Sequence, residues 1–284
     1  MDRTTPMQLF PYIGGKANMA TKITKIIANY PHKTYVEPFV GGGSVFWQLK
    51  YNQPQSKKCF VLNDINDLIV TAYQVAIAQP ESLQLKLASS LYSQSLHQRA
   101  KNIIKNKHNY SEIDIAWAVI YSIRCNFLPK IADSWGRDYS QGKRSGKNRA
   151  MQYARFLDYL PIVLSFLKGV YVSNEDAITC IKKWDSPHTL FYCDPPYPET
   201  DQFHYQGYSQ NDFKQLIVCL SQIQGTAILS CYPNTSVPSN WKKYEFIKNC
   251  AIAKKSGITS ERIEVVWVKP SNTETISTQL SLFA

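Results

Sequence analysis

Residues 191–198 read FYCDPPYP, a carboxylate, two prolines and a tyrosine set directly behind a short apolar run. The run 189–193 (TLFYC) predicts a buried strand, which puts Asp194 at a carboxyl end, where open α/β sheets bind their ligands. Pro195 and Pro196 fix φ, remove two backbone donors and leave carbonyls able to accept. Asp194 and the Pro195 carbonyl can then both accept hydrogen bonds from one exocyclic NH₂ group, while Tyr197 stacks on the flat base that carries it. Held in this way, the amine nitrogen turns its lone pair toward an electrophile as it leaves planar conjugation. A strand that merely had to stop would need one proline or a glycine.

A second constellation lies at 35–44, YVEPFVGGGS, which reads as a strand followed by a glycine turn into a helix. Glu37 closes the strand, and Asp64 ends the next one, 21 residues after Gly43. An acid about 20 residues beyond the glycine loop bonds ribose hydroxyls in nucleotide-binding α/β folds. A carboxylate beside the glycine turn repels a pyrophosphate but suits a ligand with a positive charge. S-adenosylmethionine, with an adenosine and a cationic methionine tail, fits better than NAD or ATP. At 11–16, PYIGGK is not a phosphate-binding P-loop, which would require Gly at position 10 and Ser or Thr at 17; Phe10 and Ala17 stand there.

The elements that must position these groups follow from the spacing of apolar runs. Strands are expected at 34–37, 59–62, 169–173, 189–193, 225–230 and 262–268, with helices near 43–51, 66–78, 175–184 and 211–223. That alternation predicts an α/β domain with a mainly parallel sheet, its last strand able to pair antiparallel. The alternation breaks between 80 and 168, where helices are expected at roughly 81–106, 111–124 and 150–167, with a Gly-, Ser- and charge-rich stretch at 130–150. Between 97 and 170 the chain carries 13 Lys and Arg against five acids, so most of its net charge of +11 falls there. Phe127, Trp135, Tyr139 and Tyr153 lie among these cations, a mixture that suits a nucleic acid. A solvated helical face would carry the same charge without a ligand.

Seven scattered cysteines without a C-x-x-C pair argue for reduced thiols and against a disulfide framework or a zinc ribbon. The five histidines form no H-E-x-x-H or H-x-E pattern, and no metal is expected. The first ten residues hold no apolar core of signal-peptide type, and no apolar stretch approaches a membrane helix. The expectation is a cytoplasmic protein with no membrane association.

Taken together, PYIGGK, VEPFVGGGSVF, LNDIN, VSNEDAI, FYCDPPY and ILSCY resemble the Dam-like class of DNA adenine-N6 methyltransferases, in order from about residue 8 to 270. The resemblance implies a Rossmann-like methyltransferase sheet ending in an antiparallel hairpin, for which the closing RIEVVWVKP is suited. It implies a cofactor-binding catalytic domain over 1–79 and 169–284, with 80–168 as an inserted target-recognition subdomain. It carries Tyr12, Gly14, Gly15 and Lys16 to the S-adenosylmethionine site, with Glu37, Pro38, Phe39, Gly41 and Gly43 near the methionine end. Asp64 corresponds to the ribose acid, Asp176 falls where the family contacts the cofactor's adenine, and Asp194, Pro195, Pro196 and Tyr197 form the catalytic tetrad around a flipped adenine, with Asp194 also bordering the cofactor. The family usually has Trp where Tyr12 stands, and the insertion matches it only in pieces such as Phe127 and Trp135–Gly136.

The activity so implied is methyl transfer to adenine N6 in duplex DNA. Arg124, Asn126, Lys130, Arg137, Lys143, Arg144, Lys147 and Arg149 are the candidate DNA contacts, mostly to phosphates. Rivals with the same fold methylate cytosine N4, RNA adenine or a protein amide; the cytosine enzymes usually carry Ser, and the amide enzymes Asn, at the position of Asp194. Cysteine-based cytosine C5 chemistry usually shows a Pro-Cys dipeptide, which is absent here. A noncatalytic DNA-binding protein with this fold is the rival of another class, and a nucleotide-dependent oxidoreductase is disfavoured by Glu37 and the lack of G-x-G-x-x-G. A monomer is expected, with any restriction endonuclease encoded separately.

Overall fold

The structure, a computed structural model, describes residues 7–137, 148–197, 208–233, 235–250 and 260–272. Among these residues seven strands, β1 (Thr34–Glu37), β2 (Cys59–Asn63), β3 (Val170–Ser173), β4 (Thr189–Cys193), β5 (Thr226–Cys231), β6 (Lys242–Cys250) and β7 (Ser260–Lys269), form one sheet. Its order is β3-β2-β1-β4-β5-β7-β6. β1 pairs in parallel with β2 and β4, and β4 with β5. β7 runs antiparallel to both β5 and β6. The expected parallel sheet with a closing antiparallel hairpin is thus the one observed. β4 and β5 are buried at every residue, as strands covered on both faces must be, which is why they read as unbroken apolar runs. In register Val36 stands opposite both Val61 and Phe191, so Glu37 and Asp194 come to the same, carboxyl, edge.

The helices are α1 (Ala20–Ile27), α2 (Ser44–Asn52), α3 (Asp67–Ala78), α4 (Pro80–Ala88), α5 (Gln94–Lys105), α6 (Glu112–Cys125), α7 (Arg149–Phe166), α8 (Ala177–Trp184) and α9 (Gln210–Gln222). Many begin where a short polar side chain satisfies a free amide of the first turn: Asn66, Ser93, Ser111, Asn148, Asp176 and Ser209 all do so. The single helix expected over 81–106 is in fact two. Ser93 caps α5, and Ser90 accepts the Trp117 indole N–H at 2.8 Å, so the chain turns between them.

Two compact units emerge. One comprises Met1–Thr24, Val40–Lys57 and Asp64–Asn174; the other Lys25–Phe39, Lys58–Asn63 and Glu175–Ala284. In the first, Phe10, Trp47 and Tyr73 pack near the glycine turn, and Trp117, Tyr121, Tyr153 and Phe156 fill the helical part. In the second, Val36, Val61, Phe191, Leu216, Leu220 and Leu229 belong to one apolar core. The segment 80–168 lies wholly within the first unit. Among the described residues, no helix is long and apolar enough to cross a membrane.

Candidate active site

In the first unit the glycine turn is built by its conformation and tied at every side. Gly41 (φ 45°) and Gly43 (φ 64°) both adopt left-handed backbone, which a side chain resists, and Gly43 heads α2. The Gly41 N–H donates to Asp64 Oδ2 at 2.8 Å, and the Asn66 N–H to Asp64 Oδ1 at 2.9 Å. The Trp47 indole donates to the Gly42 carbonyl at 3.0 Å, and the Tyr73 hydroxyl to the Gly41 carbonyl at 3.3 Å. Close approach is also required: a Cβ on Gly41 would sit 3.1 Å from the Tyr12 ring. Burial and the Asp64 charge push the Tyr12 phenol up to about 12. Burial likewise raises Asp64, against the pull of its backbone donors.

The PYIGGK loop folds back on itself, with the Gly15 N–H on the Tyr12 carbonyl at 3.1 Å. Gly14 takes a positive φ of 75°, and buried Lys16 turns its ammonium to the Gly14 carbonyl at 3.3 Å. The structure therefore brings Tyr12, Gly41 and Asp64 together, with the Gly14–Lys16 loop joined to Tyr12.

In the second unit Glu37 is 2% exposed and accepts the Tyr35 hydroxyl at 2.5 Å. Asn63, fully buried at the end of β2, donates to the carbonyls of Pro38 and Glu175, each at 3.0 Å, and accepts the Glu175 N–H at 3.0 Å. It thereby pins the Glu37–Phe39 loop and the start of α8. Phe39 meets Tyr208 edge to face, with ring centres 5.9 Å apart. Asp176 is exposed and caps α8 through one oxygen, which accepts from Ile178 N and Thr179 N.

Asp194 is half-buried beyond β4 and accepts the Tyr197 hydroxyl at 3.3 Å, and Pro195 is buried behind it. The Tyr197 ring lies 4.5 Å from that of Tyr232. Burial, then the Asp194 charge, holds the Tyr197 phenol well above its ordinary value, so it stays a donor.

The model of the D12 class N6 adenine-specific DNA methyltransferases matches residues 12–254. The chain belongs to this family. A DNA N-6-adenine-methyltransferase of Escherichia phage P1 is 25% identical over 218 residues, which is 72% of this chain and 26% of that protein. The chain thus spans about a quarter of the length of that curated relative. Among solved structures, the rRNA methyltransferase AviRa from Streptomyces viridochromogenes aligns with a TM-score of 0.45 at 12% identity, covering 91% of this chain and 86% of its own. TrmN from Thermus thermophilus aligns at 0.37 and 8% identity, covering 89% and 48%. At these scores neither likeness bears on substrate.

For a D12-class chain holding S-adenosylmethionine, the donors present fit. The second unit offers a deeply buried carboxylate, Glu37, for a cationic end, and the aromatic Phe39 beside a buried Tyr208 hydroxyl with no hydrogen-bond partner among the described residues. The first offers Asp64 and the Tyr12 ring at the glycine turn.

The candidate DNA contacts divide differently from expectation. The Arg124 guanidinium donates to the carbonyls of Gln8 and Leu9 and lies 4.0 Å over the Phe156 ring. Burial lowers its pKa, and these contacts hold the half-buried side chain against the chain's own carbonyls. Asn126, also assigned to DNA, is 3% exposed; it accepts from the His97 ring at 2.5 Å and donates to the Lys130 carbonyl. Arg149 donates to the Asn126 carbonyl at 2.8 Å. Lys130 pairs with Asp133 at 3.7 Å, and Arg137 is exposed. Lys143, Arg144 and Lys147 lie outside the described residues. Sequence reasoning missed Asn63, Trp47, Tyr73 and Tyr208. Asn63 carried a usable signal, a polar amide closing an otherwise apolar strand.

Proposed function

We propose that this chain transfers the methyl group of S-adenosylmethionine to N6 of an adenine flipped out of duplex DNA. The observation that carries the reading is the half-buried Asp194 carboxylate, held by the Tyr197 hydroxyl beyond a fully buried strand. An amine inside the base stack is out of reach of such a group, so flipping is required. Asp194 and the Pro195 carbonyl accept the two N6 hydrogens and orient the nitrogen, and Tyr197 offers its ring to the base. When bound, the cofactor would supply a methyl carbon on a sulfonium, whose carbon–sulfur bond would break as the methyl leaves, giving the neutral thioether S-adenosylhomocysteine. As N6 becomes positively charged on bonding that carbon, Asp194 stabilises the charge and is the first acceptor for the departing proton. Catalysis is positioning and electrostatics, with no covalent enzyme intermediate.

Glu37 holds the methionine ammonium. In the second unit Pro38 and Phe39 are assigned to the cofactor and Asp176 to its adenine; in the first, Tyr12, the Gly14–Gly15–Lys16 loop and the Gly41–Gly43 turn are assigned to the cofactor and Asp64 to its ribose. The segment 80–168 acts as target-recognition subdomain, with Lys130, Arg137, Lys143, Arg144 and Lys147 on phosphates. The protein works in the cytoplasm as a monomer. The test is to incubate it with S-adenosylmethionine and unmethylated duplex DNA, digest to nucleosides and look for deoxy-N6-methyladenosine by mass spectrometry. Wild type is expected to form it and Asp194→Ala to lose it; cofactor binding with no methylated adenine would overturn the DNA-adenine assignment.

A further inference from the structure

We propose that Tyr208 is a further cofactor-binding residue, whose hydroxyl donates to an acceptor on the adenosine part of S-adenosylmethionine while its ring and Phe39 wall that part on one side. The inference rests on the cofactor reading above and adds a residue to it. Buried tyrosine hydroxyls find a partner as a rule, because desolvating one without a replacement bond is costly. The Tyr208 hydroxyl is buried and has none among the described residues. Its placement is not accidental slack in a loop: the next residue, Ser209, caps α9 in a reciprocal box with Asp212, which holds the backbone of this turn.

A ring contact fixes where the phenol stands. The ring meets Phe39 edge to face at 5.9 Å, and Phe39 sits in the loop beyond β1 whose Pro38 carbonyl is pinned by Asn63. Besides burial, the charges of Asp212 in α9 and of Asp176 at the head of α8 also raise the phenol's pKa. Burial, the largest influence, raises its pKa, so the group is a neutral donor throughout the working range. A neutral donor on an apolar wall suits a flat, uncharged heterocycle with acceptor nitrogens. It does not suit the cationic methionine end, for which Glu37, buried against Tyr35, is the apt partner.

The experiment is calorimetric titration of wild type and Tyr208→Phe with S-adenosylmethionine, S-adenosylhomocysteine and 5′-methylthioadenosine, together with melting of both proteins without ligand. The adenosine is common to all three ligands, and only the first two carry the amino-acid tail. Tyr208→Phe is expected to weaken all three by a similar factor, about five- to tenfold. Its ligand-free midpoint is expected to stay equal or rise, since an unsatisfied hydroxyl has been removed from a buried place. A merely structural tyrosine would lower the midpoint instead, and that result would overturn the assignment. So would unchanged affinity, or a loss confined to the ligands with a tail. Failure of the wild type to bind any of the three would overturn the cofactor reading itself; wild-type binding with an indifferent variant would overturn Tyr208 alone.

Discussion

Gly43 shows how much of this chemistry rests on a single missing side chain. Its φ of 64° is strained for any residue with a Cβ, and that atom would meet the Tyr73 hydroxyl at 3.0 Å and the Trp47 indole nitrogen at 3.3 Å. Both groups hold carbonyls of the same turn. Gly43→Ala is therefore expected to lose about 1–2 kcal/mol from the left-handed backbone alone, with the crowding added to it. Urea denaturation measures the first effect, and a weakened response to S-adenosylmethionine in the surviving folded protein reports the second. Asp64 belongs to the same cluster and illustrates why spacing alone understated it. Its distance from the glycines pointed to a ribose, yet in the structure both its oxygens already receive backbone N–H groups. Each oxygen keeps a second lone pair, so holding the turn and receiving a hydroxyl are compatible tasks.

Among the elements, the short hairpin after α6 carries the clearest consequence. Asn126 bridges Trp135, the Phe127 N–H donates to Ser134 at 2.7 Å, and the Gly136 N–H to Cys125 at 2.8 Å. His97 of α5 anchors it through Asn126. Burial lowers the His97 pKa despite that bond. With the folded value below the unfolded one of about 6.5, the unfolded chain takes up the proton first. Stability is complete above that pH and falls as the pH drops toward the folded value. Replacing His97 by Gln, which keeps a donor for Asn126, is expected to flatten the acid side of a stability–pH curve; an unchanged slope would refute the coupling. His32, also lowered by burial, accounts for part of what remains.

At this scale the strands were legible because those buried on both faces are plain apolar runs, as in TLFYC and TAILSC. β6 was not, since KKYEFIKNC sets charged residues along a sheet edge, where they guard against further pairing. The break between α4 and α5 escaped because apolar periodicity runs through Leu91 and Tyr92, while the capping role of Ser93 is visible only once the helix is seen to restart. The contacts of Arg124 were hidden for a similar reason. A cation in a basic stretch looks like a phosphate contact until the carbonyls of Gln8 and Leu9, more than a hundred positions away, are found beneath it.

For the whole molecule, the net charge of +11 would make the proposed DNA affinity a function of salt. Wild-type affinity is expected to fall steeply and linearly on a log–log plot against salt. Arg137→Ala should lower the magnitude of that slope by about one, provided the arginine meets a phosphate. Fluorescence titrations at several salt concentrations decide it, and an unaltered slope would remove Arg137 from the interface. Ligand affinity is governed differently, because association is weakened by whatever must become ordered when the ligand arrives. At the glycine turn little is left to order: its N–H and carbonyl groups are tied to the chain's own Asp64, Trp47 and Tyr73. The turn behaves as a mould cast before the object it receives, so the free energy released on contact goes into affinity rather than into shaping the backbone.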